Sequence, residues 1–514
     1  MALADRLRPF VSPLVAIIAV CCVVAGFWHL FAARSELSIT SASVGATPIT
    51  IYREPSDKAA PVVVIAHGFA GSQQLMQPFA LTLARNGYIV ATFDFLGHGQ
   101  NPAPLPGGIA DPEASGKALI GELGDVVAYA RHLQFGDGKI ALIGHSMASD
   151  IVVRYAEDHP DIETTIAVSL FSRGITADAP RNLLVIDGAL EPSMLTDEAF
   201  KIAAMANNGT ARERVTYGDF KLGTARRVSL SAGVEHIGVL YARESLSEAL
   251  AWLNEAFGRN RSGFIDARGP WLGLLFAGLV ALARPLSGLL PQASSVPLGQ
   301  ALPWPRLIPV ALAPAVITPL VLWKLPTDFM PILLGDYLTL HFGVYGFLSA
   351  AGLYYFEDGS KRAASFSISR RAFGIGVAAV ASYAIFVIGL PIDRFVTSFM
   401  PIAERLPLIL IVLCGTAPYF MADEWLTRGE AAPRGNYAFT KICFLASLAI
   451  AIALNLHRLF FLIIIVPVIL IFFTVYGLFS GWVYRRTNHP LVAALGIAIA
   501  MAWSIAVTFP TVSP

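Results

Sequence analysis

Ser146 stands at a sharp bend between an apolar run and a helical pattern. Residues 140–143 are apolar in the manner of a buried strand, and from Met147 onward apolar residues recur at helical spacing. Gly144 and Ala148 flank the serine at two positions on either side, as a tight strand-to-helix turn requires. Such a turn exposes the hydroxyl near a helix amino terminus, where negative charge is favoured. The pattern indicates a nucleophilic serine, against the alternative of a structural turn serine.

The elements that must position this serine alternate between strands and helices. Strands are predicted for a hairpin at 37–53 and at 61–66, 88–93, 140–143, 164–170, 183–187 and 227–231, and helices at 72–86, 113–133, 147 onward, 196–206 and 238–257. Strands separated by helices predict a mostly parallel sheet with crossover connections. The fold class expected for residues 35–260 is therefore α/β.

The order of short motifs after successive strands resembles the α/β-hydrolase family, near its monoglyceride-lipase and esterase-like branch. These motifs are HGF at 67–69, DFLGHG at 94–99, GHSMA at 144–148, IDGALE at 186–191 and AGVEH at 232–236. Five motifs in this order are more specific than any one of them. The resemblance covers nearly half of the chain and implies a serine hydrolase or acyltransferase that works through an acyl-enzyme.

The resemblance assigns roles residue by residue. Ser146 matches the nucleophile, and His236, beyond the last predicted strand, matches the general base. Phe69 and Met147 match the two residues whose backbone N–H groups form the oxyanion hole. His67 and His98 belong to turn motifs, and we expect them to shape the pocket instead of doing chemistry.

The acid of the expected triad has two candidates. The family places an aspartate three residues after the glycine that follows the strand, and this chain has Glu191 at that position after Gly188. Asp187, directly before the glycine, is the alternative acid, but it belongs to the strand end. We favour Glu191, because glutamate can orient an imidazole as aspartate does. No cofactor and no metal are expected.

The family usually carries a lid between the two strands before the acid. Only residues 171–182 separate these strands here, too few for a lid domain. The segment 207–225 is an alternative cover for the pocket.

Composition places the second half of the chain in a membrane. The 514 residues are 55% hydrophobic and only 14% charged, which is too apolar for a soluble protein, and the formal net charge of +1 gives no indication of nucleic-acid binding. All four cysteines fall in apolar segments, so no disulfide is expected in the globular part. We predict an N-terminal transmembrane anchor in residues 1–34, favoured over a cleaved signal peptide, and a multi-span domain of about eight helices in 269–514.

The predicted spans alternate across the membrane. They lie at 11–33, 271–290, 307–323, 329–354, 373–392, 406–422, 442–456, 459–483 and 491–509, nine in all. Basic loops with Lys361, Arg362, Arg370 and Arg371, and with Arg485 and Arg486, fall on the side of Arg6 and Arg8. The expected location is a bacterial inner or plasma membrane with the α/β domain outside the cytoplasm.

Ionisable residues within the spans have two interpretations. Asp336 and His341 indicate either a polar path or an inter-helix hydrogen bond, because a charge in hydrocarbon is costly. Asp423 and Glu424 are expected to be solvated at a helix end.

Two classes of function remain open at this level. The first is a membrane-embedded serine hydrolase or acyltransferase that acts through an acyl-enzyme on an ester of a lipid or lipid-linked substrate. The alternative is a transporter or channel that uses the hydrolase fold for binding or sensing. A non-catalytic scaffold is disfavoured, because nucleophile, base and acid are all present. The sequence does not indicate an oligomeric state.

Overall fold

The computed structural model describes residues 2–108, 111–172, 174–207, 209–356 and 367–513, with side chains from Pro13 onward. Lys361 and Arg362 of the predicted basic loop lie outside these residues. The chain divides into two compact units. The unit that carries the resemblance to hydrolases, called the hydrolase unit below, contains Val24–Leu275, Ile392–Phe399 and Pro510–Pro514. The helical unit contains the remaining stretches Met1–Val23, Phe276–Pro391 and Met400–Phe509.

An eight-stranded sheet forms the centre of the hydrolase unit. Its strands are β1 (Ser38–Val44), β2 (Thr47–Arg53), β3 (Ala60–Ala66), β4 (Ile89–Phe93), β5 (Gly136–His145), β6 (Ile162–Val168), β7 (Leu183–Gly188) and β8 (Arg226–Ser231). The spatial order is β1-β2-β4-β3-β5-β6-β7-β8. The pairs β1–β2 and β2–β4 are antiparallel, and the pairs from β4 to β8 are parallel. The predicted α/β class with a mostly parallel sheet is confirmed.

Helices cover both faces of the sheet, because its central strands are apolar on both sides. Val62 and Val64 of β3 pack on one face against α3 (Pro112–Arg131) and α4 (Met147–Asp158). Val63 and Ile65 pack on the other face, in the cluster that contains α2 (Gln77–Ala84) and α6 (Arg243–Phe257). Helix α5 (Ser193–Ala204) packs against β7 and β8. The carboxyl ends of the parallel strands, and the loops that follow them, therefore lie at one edge of the sheet.

Two short stretches from far along the chain complete the hydrolase unit. The 392–399 segment hydrogen-bonds to Ser72 and Gln100, as described below. The C-terminal segment 510–513 pairs with the loop after β4: Leu105 N–H donates to Thr511 O at 2.9 Å, and Thr511 N–H donates to Gly97 O at 2.9 Å. The loops at this edge of the sheet therefore include residues separated by hundreds of positions in sequence.

The helical unit consists mainly of long apolar helices. Helix α1 is Ala2–Ala32, and after the hydrolase strands come α7 (Gly269–Ser287), α8 (Trp304–Lys324), α9 (Gly335–Tyr355), α10 (Arg370–Ser382), α11 (Gly389–Phe395), α12 (Leu406–Thr427), α13 (Asn436–Leu454), α14 (Leu456–Leu459), α15 (Leu462–Thr487) and α16 (Pro490–Thr508). A single π-helical turn, Tyr383–Ile388, joins α10 to α11. Eight helices in the described chain are long and apolar enough to cross a membrane, which is compatible with an integral membrane protein.

The sequence predicts nine spans, and the difference lies at residues 329–354. This stretch contains helix α9, which begins only at Gly335 and is not among the eight apolar helices. Asp336, His341 and several tyrosines lower its hydropathy. Helix α9 nevertheless has 21 residues, which is long enough to cross a bilayer.

The expectation that Asp423 and Glu424 are solvated is wrong. Both residues are buried, at 5% and 1% exposure. Lys441 of α13 forms an ion pair with Asp423, and Arg428 Nε lies 2.9 Å from Glu424 Oε2. The acidic groups are compensated by cations one helix turn away or on the adjacent helix, so they do not need water.

Candidate active site

The bend at Ser146 has the geometry of a nucleophile elbow. Ser146 lies between β5 and α4 with φ 55° and ψ −119°, a backbone conformation that residues other than glycine rarely adopt. Its N–H donates to Val168 O of the neighbouring strand at 2.8 Å, which holds the bend in place. A Cβ on Gly144 would overlap the carbonyl oxygen of Ala148, so strand and helix can approach this closely only with glycine there.

Three side chains predicted from sequence come together at this bend. His236 Nε2 lies 2.8 Å from Ser146 Oγ, and His236 Nδ1 lies 2.9 Å from Glu191 Oε2. Ser146 comes from the β5–α4 turn, Glu191 from the loop after β7 and His236 from the loop after β8. These loops all follow the carboxyl ends of parallel strands, which places them at one edge of the sheet. A hydroxyl, an imidazole and a carboxylate in this order can activate the serine.

Glu191 is held as a carboxylate by its surroundings. Burial opposes its ionisation, but hydrogen bonds outweigh burial and lower the pKa of Glu191 below its usual value. Its donors are His236, the Gly188 N–H at 2.8 Å and the Ser169 hydroxyl at 2.7 Å, the last two to Oε1. Oε2 is thus left to the imidazole, while Oε1 is fixed by the protein.

Asp187, the alternative acid, is placed differently. Its Oδ1 accepts the Leu170 N–H at 3.2 Å, and in the described chain its buried Oδ2 has no hydrogen-bond partner. Burial, followed by the negative charge of Glu191, raises the pKa of Asp187 to about 7. Of the two carboxyl groups, the structure therefore brings Glu191 to His236.

The two residues expected to supply the oxyanion hole belong to the elbow and to a loop that passes beside it. Met147 is the first residue of α4, where backbone N–H groups have no acceptor within the helix. Phe69 lies in the loop directly after β3, residues 67–73, which we call the oxyanion loop. A Cβ on Gly68 would lie 3.0 Å from Ser146 Cβ, so this loop passes close against the elbow.

His67 acts as a structural residue of the oxyanion loop. Its Nδ1–H donates to Gly68 O at 2.8 Å, and its Nε2 accepts the Phe95 N–H at 3.1 Å. Burial lowers the pKa of His67, so the neutral tautomer that these two bonds need is favoured. The ring of His98 lies 5.2 Å from that of His67, centroid to centroid.

Sequence reasoning missed two residues that support the triad. His145 donates from Nε2 to the backbone oxygen of His236 at 2.9 Å, which ties the loop of the base to the elbow. Burial, followed by the proximity of His236, lowers the pKa of His145 to about 3, so it stays neutral. Ser169, the second residue, donates to Glu191 as described above. His145 was visible within the GHSMA motif, whereas Ser169 has no sequence signal that would distinguish it.

The described residues of the segment 207–225 contact β8 and α6. Tyr217 and Arg226 exchange backbone hydrogen bonds at 2.8 and 2.9 Å, and Arg214 N–H donates to Val228 O at 2.8 Å. Phe220 packs on Trp252 with ring centroids 4.6 Å apart. The segment therefore follows the outer edge of β8. The stretch 171–182 is too short for a lid domain, and its described residues contain no helix or strand.

Asp336 and His341 in α9 are both buried but have separate contacts. Asp336 Oδ1 accepts the Tyr337 N–H at 2.6 Å, whereas His341 Nδ1 lies 3.3 Å from the Tyr337 hydroxyl. The His341 ring also lies against Phe444 of α13, with centroids 5.4 Å apart. These contacts fit a role in helix packing. Within the described ranges, no group of three or more His, Cys, Asp or Glu side chains could hold a metal ion.

A family model and several solved structures are similar to part of this chain. The family model described as alpha/beta hydrolase fold matches residues 61–217. No curated protein matches the chain at a significant level. Solved structures similar to this chain include TT1662 from Thermus thermophilus, with 13% identity and a TM-score of 0.33, covering 44% of this chain and 99% of its own.

Two further solved structures cover a comparable share of this chain. A "predicted CIB-like hydrolase" from Thermoplasma acidophilum is 18% identical with a TM-score of 0.33, covering 44% of this chain and 98% of its own. The thioesterase domain from the curacin biosynthetic pathway is 14% identical with a TM-score of 0.29, covering 42% and 99%. The family match and the strand order together lead to one conclusion. This chain contains an α/β-hydrolase domain, joined to several helices long and apolar enough to span a membrane.

Proposed function

We propose that the protein is a membrane-embedded serine hydrolase or acyltransferase that acts through an acyl-enzyme on an ester of a lipid or lipid-linked substrate. The observation that carries the proposal is the hydrogen-bonded series Ser146–His236–Glu191, with distances of 2.8 and 2.9 Å. The Ser146 residue is only partly buried, so an ester carbonyl can reach it.

The proposed reaction has two halves. Ser146 Oγ attacks the carbonyl carbon while His236 Nε2 accepts the hydroxyl proton, and the oxygen that becomes negative faces the N–H groups of Phe69 and Met147. His236 then gives that proton to the leaving alcohol as the ester bond breaks. In the second half His236 takes a proton from water, or from another acceptor alcohol, which attacks the acyl-enzyme and releases Ser146. The Glu191 carboxylate stabilises the imidazolium that forms in each half.

Apolar side chains next to the triad support an acyl substrate. Leu190 is 66% exposed and directly precedes the proposed acid. Met194 is 65% exposed three residues after it, and Phe171 is 58% exposed. Phe171 N–H donates to Ser149 Oγ at 3.1 Å, one turn of α4 from the nucleophile. Large apolar side chains exposed together around a site favour a hydrophobic ligand.

The location belongs to the same proposal. Arg370, Arg371, Arg485 and Arg486 lie at the ends of helices that could span, and basic residues favour the cytoplasmic side. We therefore place the hydrolase domain outside the cytoplasm, in a bacterial inner or plasma membrane.

The test is the dependence of turnover on acyl length in the full-length protein in detergent. We expect kcat/KM for p-nitrophenyl esters to rise with chain length, since each buried CH₂ contributes about 0.8 kcal/mol. Leu190→Asp should flatten this dependence. Leu222→Asp, at a leucine 74% exposed in the segment along β8, is the matched control and should leave it unchanged. A wild type with no preference for longer chains would contradict the lipid substrate.

A further inference from the structure

The 392–399 segment reaches the oxyanion loop through a buried serine. Ser72 is fully buried, and its Oγ accepts the Ser398 N–H at 2.8 Å. The same Oγ lies 3.1 Å from Thr397 Oγ1, so each hydroxyl can satisfy the other. Near its end the loop therefore carries a hydroxyl whose two partners come from a segment more than 300 positions away.

A second series of hydrogen bonds links the same segment to the loop after β4. Gln100 Nε2 donates to Ser398 Oγ at 2.7 Å, and Gln100 N–H donates to Asp94 Oδ2 at 2.9 Å. Asp94 Oδ1 in turn accepts the Gln73 N–H at 2.7 Å. Ser398 is thus connected to the oxyanion loop from two directions, directly at Ser72 and through Asp94 at Gln73.

A third contact fixes the start of α2, which follows the oxyanion loop. Gln77 Nε2 donates to the backbone oxygen of Arg394 at 3.2 Å. Gln77 Oε1 accepts from Arg268 at 3.0 Å, and Arg268 is itself buried in an ion pair with Asp266. The first residue of the helix after the loop is therefore held by groups that lie outside the contiguous α/β sequence.

The oxyanion loop needs such external support. Gly68, Ala70 and Gly71 have little or no side chain to pack, and Ala70 has a φ of 55°. An oxyanion donor stabilises the transition state only when its N–H is held where the charge develops. Phe69 lies three residues before Ser72, so a displacement at Ser72 is transmitted to its N–H.

We propose that the 392–399 segment positions the oxyanion loop, with Thr397 and Ser398 as positioning residues for the Phe69 N–H. This inference rests on the proposed acyl-enzyme function. It makes the catalytic power of the hydrolase domain depend on the connection between α11 and α12. Movement of those helices would then change the turnover without any change in the triad.

The test uses the full-length protein with p-nitrophenyl butyrate as substrate. Thr397→Val removes the hydroxyl that faces Ser72, and Ser398→Ala removes the acceptor of Gln100. Loss of an oxyanion donor costs on the order of 10²–10³ in kcat, so a donor that is only misplaced should cost about tenfold. KM should stay within about twofold, because the interaction acts in the transition state.

A second readout separates positioning from general damage. The sulfur of a thionoester accepts hydrogen bonds poorly, so its turnover depends less on the oxyanion donors. The ratio of ester to thionoester turnover should therefore fall in Thr397→Val and Ser398→Ala. Thr397→Ser keeps the hydroxyl and should restore the wild-type ratio. The matched control is Thr474→Val, because Thr474 is exposed on α15 and its hydroxyl donates to Leu470 O of the same helix at 2.9 Å.

A double-mutant cycle tests whether Ser72 and Thr397 act together. Ser72→Ala combined with Thr397→Val should lower kcat no further than Ser72→Ala alone, because Ser72→Ala already removes the contact with Thr397, together with the bond from the Ser398 N–H. Additive losses would overturn the proposal.

The proposal would also be overturned if wild-type turnover depends on Ser146 while both segment variants keep the wild-type kcat and ester-to-thionoester ratio. A wild type without Ser146-dependent turnover would instead refute the proposed function, and this inference with it. Thermal unfolding shows whether a variant is folded, and Thr397→Ser keeps the test valid if Thr397→Val is not.

Discussion

Asp187 and Glu191 are two carboxyl groups four positions apart that the fold treats in opposite ways. Glu191 receives three hydrogen-bond donors, which keep it ionised beside His236. Asp187 receives one, and burial favours its protonated form. A carboxylate can stabilise an imidazolium only while it is ionised and in contact with it, so the same chain segment provides one acid suited to the triad and one that is not.

Exchanging these two acids for their amides should give very different activities. Glu191→Gln should lower turnover by up to about 10⁴, because the amide favours the wrong imidazole tautomer. Asp187→Asn should keep turnover near the wild-type value, since its contact is with the Leu170 N–H and an amide oxygen can accept that bond. The measurement is kcat for a soluble ester with both full-length variants. The opposite ranking would make Asp187 the acid.

The raised pKa of Asp187 predicts a pH dependence of stability. The pKa is about 7 in the folded protein and about 3.9 in an unfolded chain, so the folded state binds the proton more tightly. Its contribution to the free energy of unfolding is full below pH 4 and is lost as the pH rises to 7 and above. Asp187→Asn cannot ionise, so its melting temperature relative to wild type should increase between pH 4 and 8. An unchanged difference across this range would contradict the assignment.

At the scale of residues, the sequence predicts only those site residues that belong to recognisable motifs. Ser146, Glu191 and His236 were identified because each follows a strand within a recognisable motif, and the structure brings them together. Ser169 and the role of His145 were not identified. Their contacts cross from one strand or loop to another, and no spacing along the chain records which side chains face each other.

At the scale of elements, the two stretches of the hydrolase unit bear on whether α9 crosses the membrane, although α9 is not among the eight apolar helices. The hydrolase unit contains residues up to Leu275 and then the stretch from Ile392 to Phe399. If this unit lies wholly on one side of a membrane, as the proposed location requires, an even number of crossings must separate its two stretches. Helices α7 and α8 and the joined α10–α11 would supply three crossings, and α9 would supply the fourth. The polar residues of α9 are buried among neighbouring side chains, which lowers the cost of crossing.

We therefore predict that α9 crosses the membrane and that the connection after it is cytoplasmic. A reporter that works only after export should be active when fused near Gly258 and after the C-terminus, and silent when fused within residues 361–371. Activity near Gly258 and within residues 361–371, with a silent reporter after the C-terminus, would mean that α9 does not cross. The reversed pattern would place the hydrolase domain in the cytoplasm and overturn the proposed location.

For the whole molecule, the division into two halves was only partly visible in the sequence. The change from ordinary to apolar composition near residue 269 predicts a globular part followed by a helical part. The inclusion of 392–399 and 510–513 in the hydrolase unit could not be predicted, because these segments join it through main-chain groups and small hydroxyls. Such contacts leave no periodicity or composition signal in the sequence.

The account depends most directly on whether Ser146 is an activated nucleophile. The decisive measurement is covalent labelling of the full-length protein by a fluorophosphonate, with the modified peptide identified by mass spectrometry. We predict labelling of wild type at Ser146, no labelling of Ser146→Ala, and labelling slowed on the order of 10⁴-fold or more in His236→Ala. A wild type that stays unlabelled, or a label that persists in Ser146→Ala, would contradict the account.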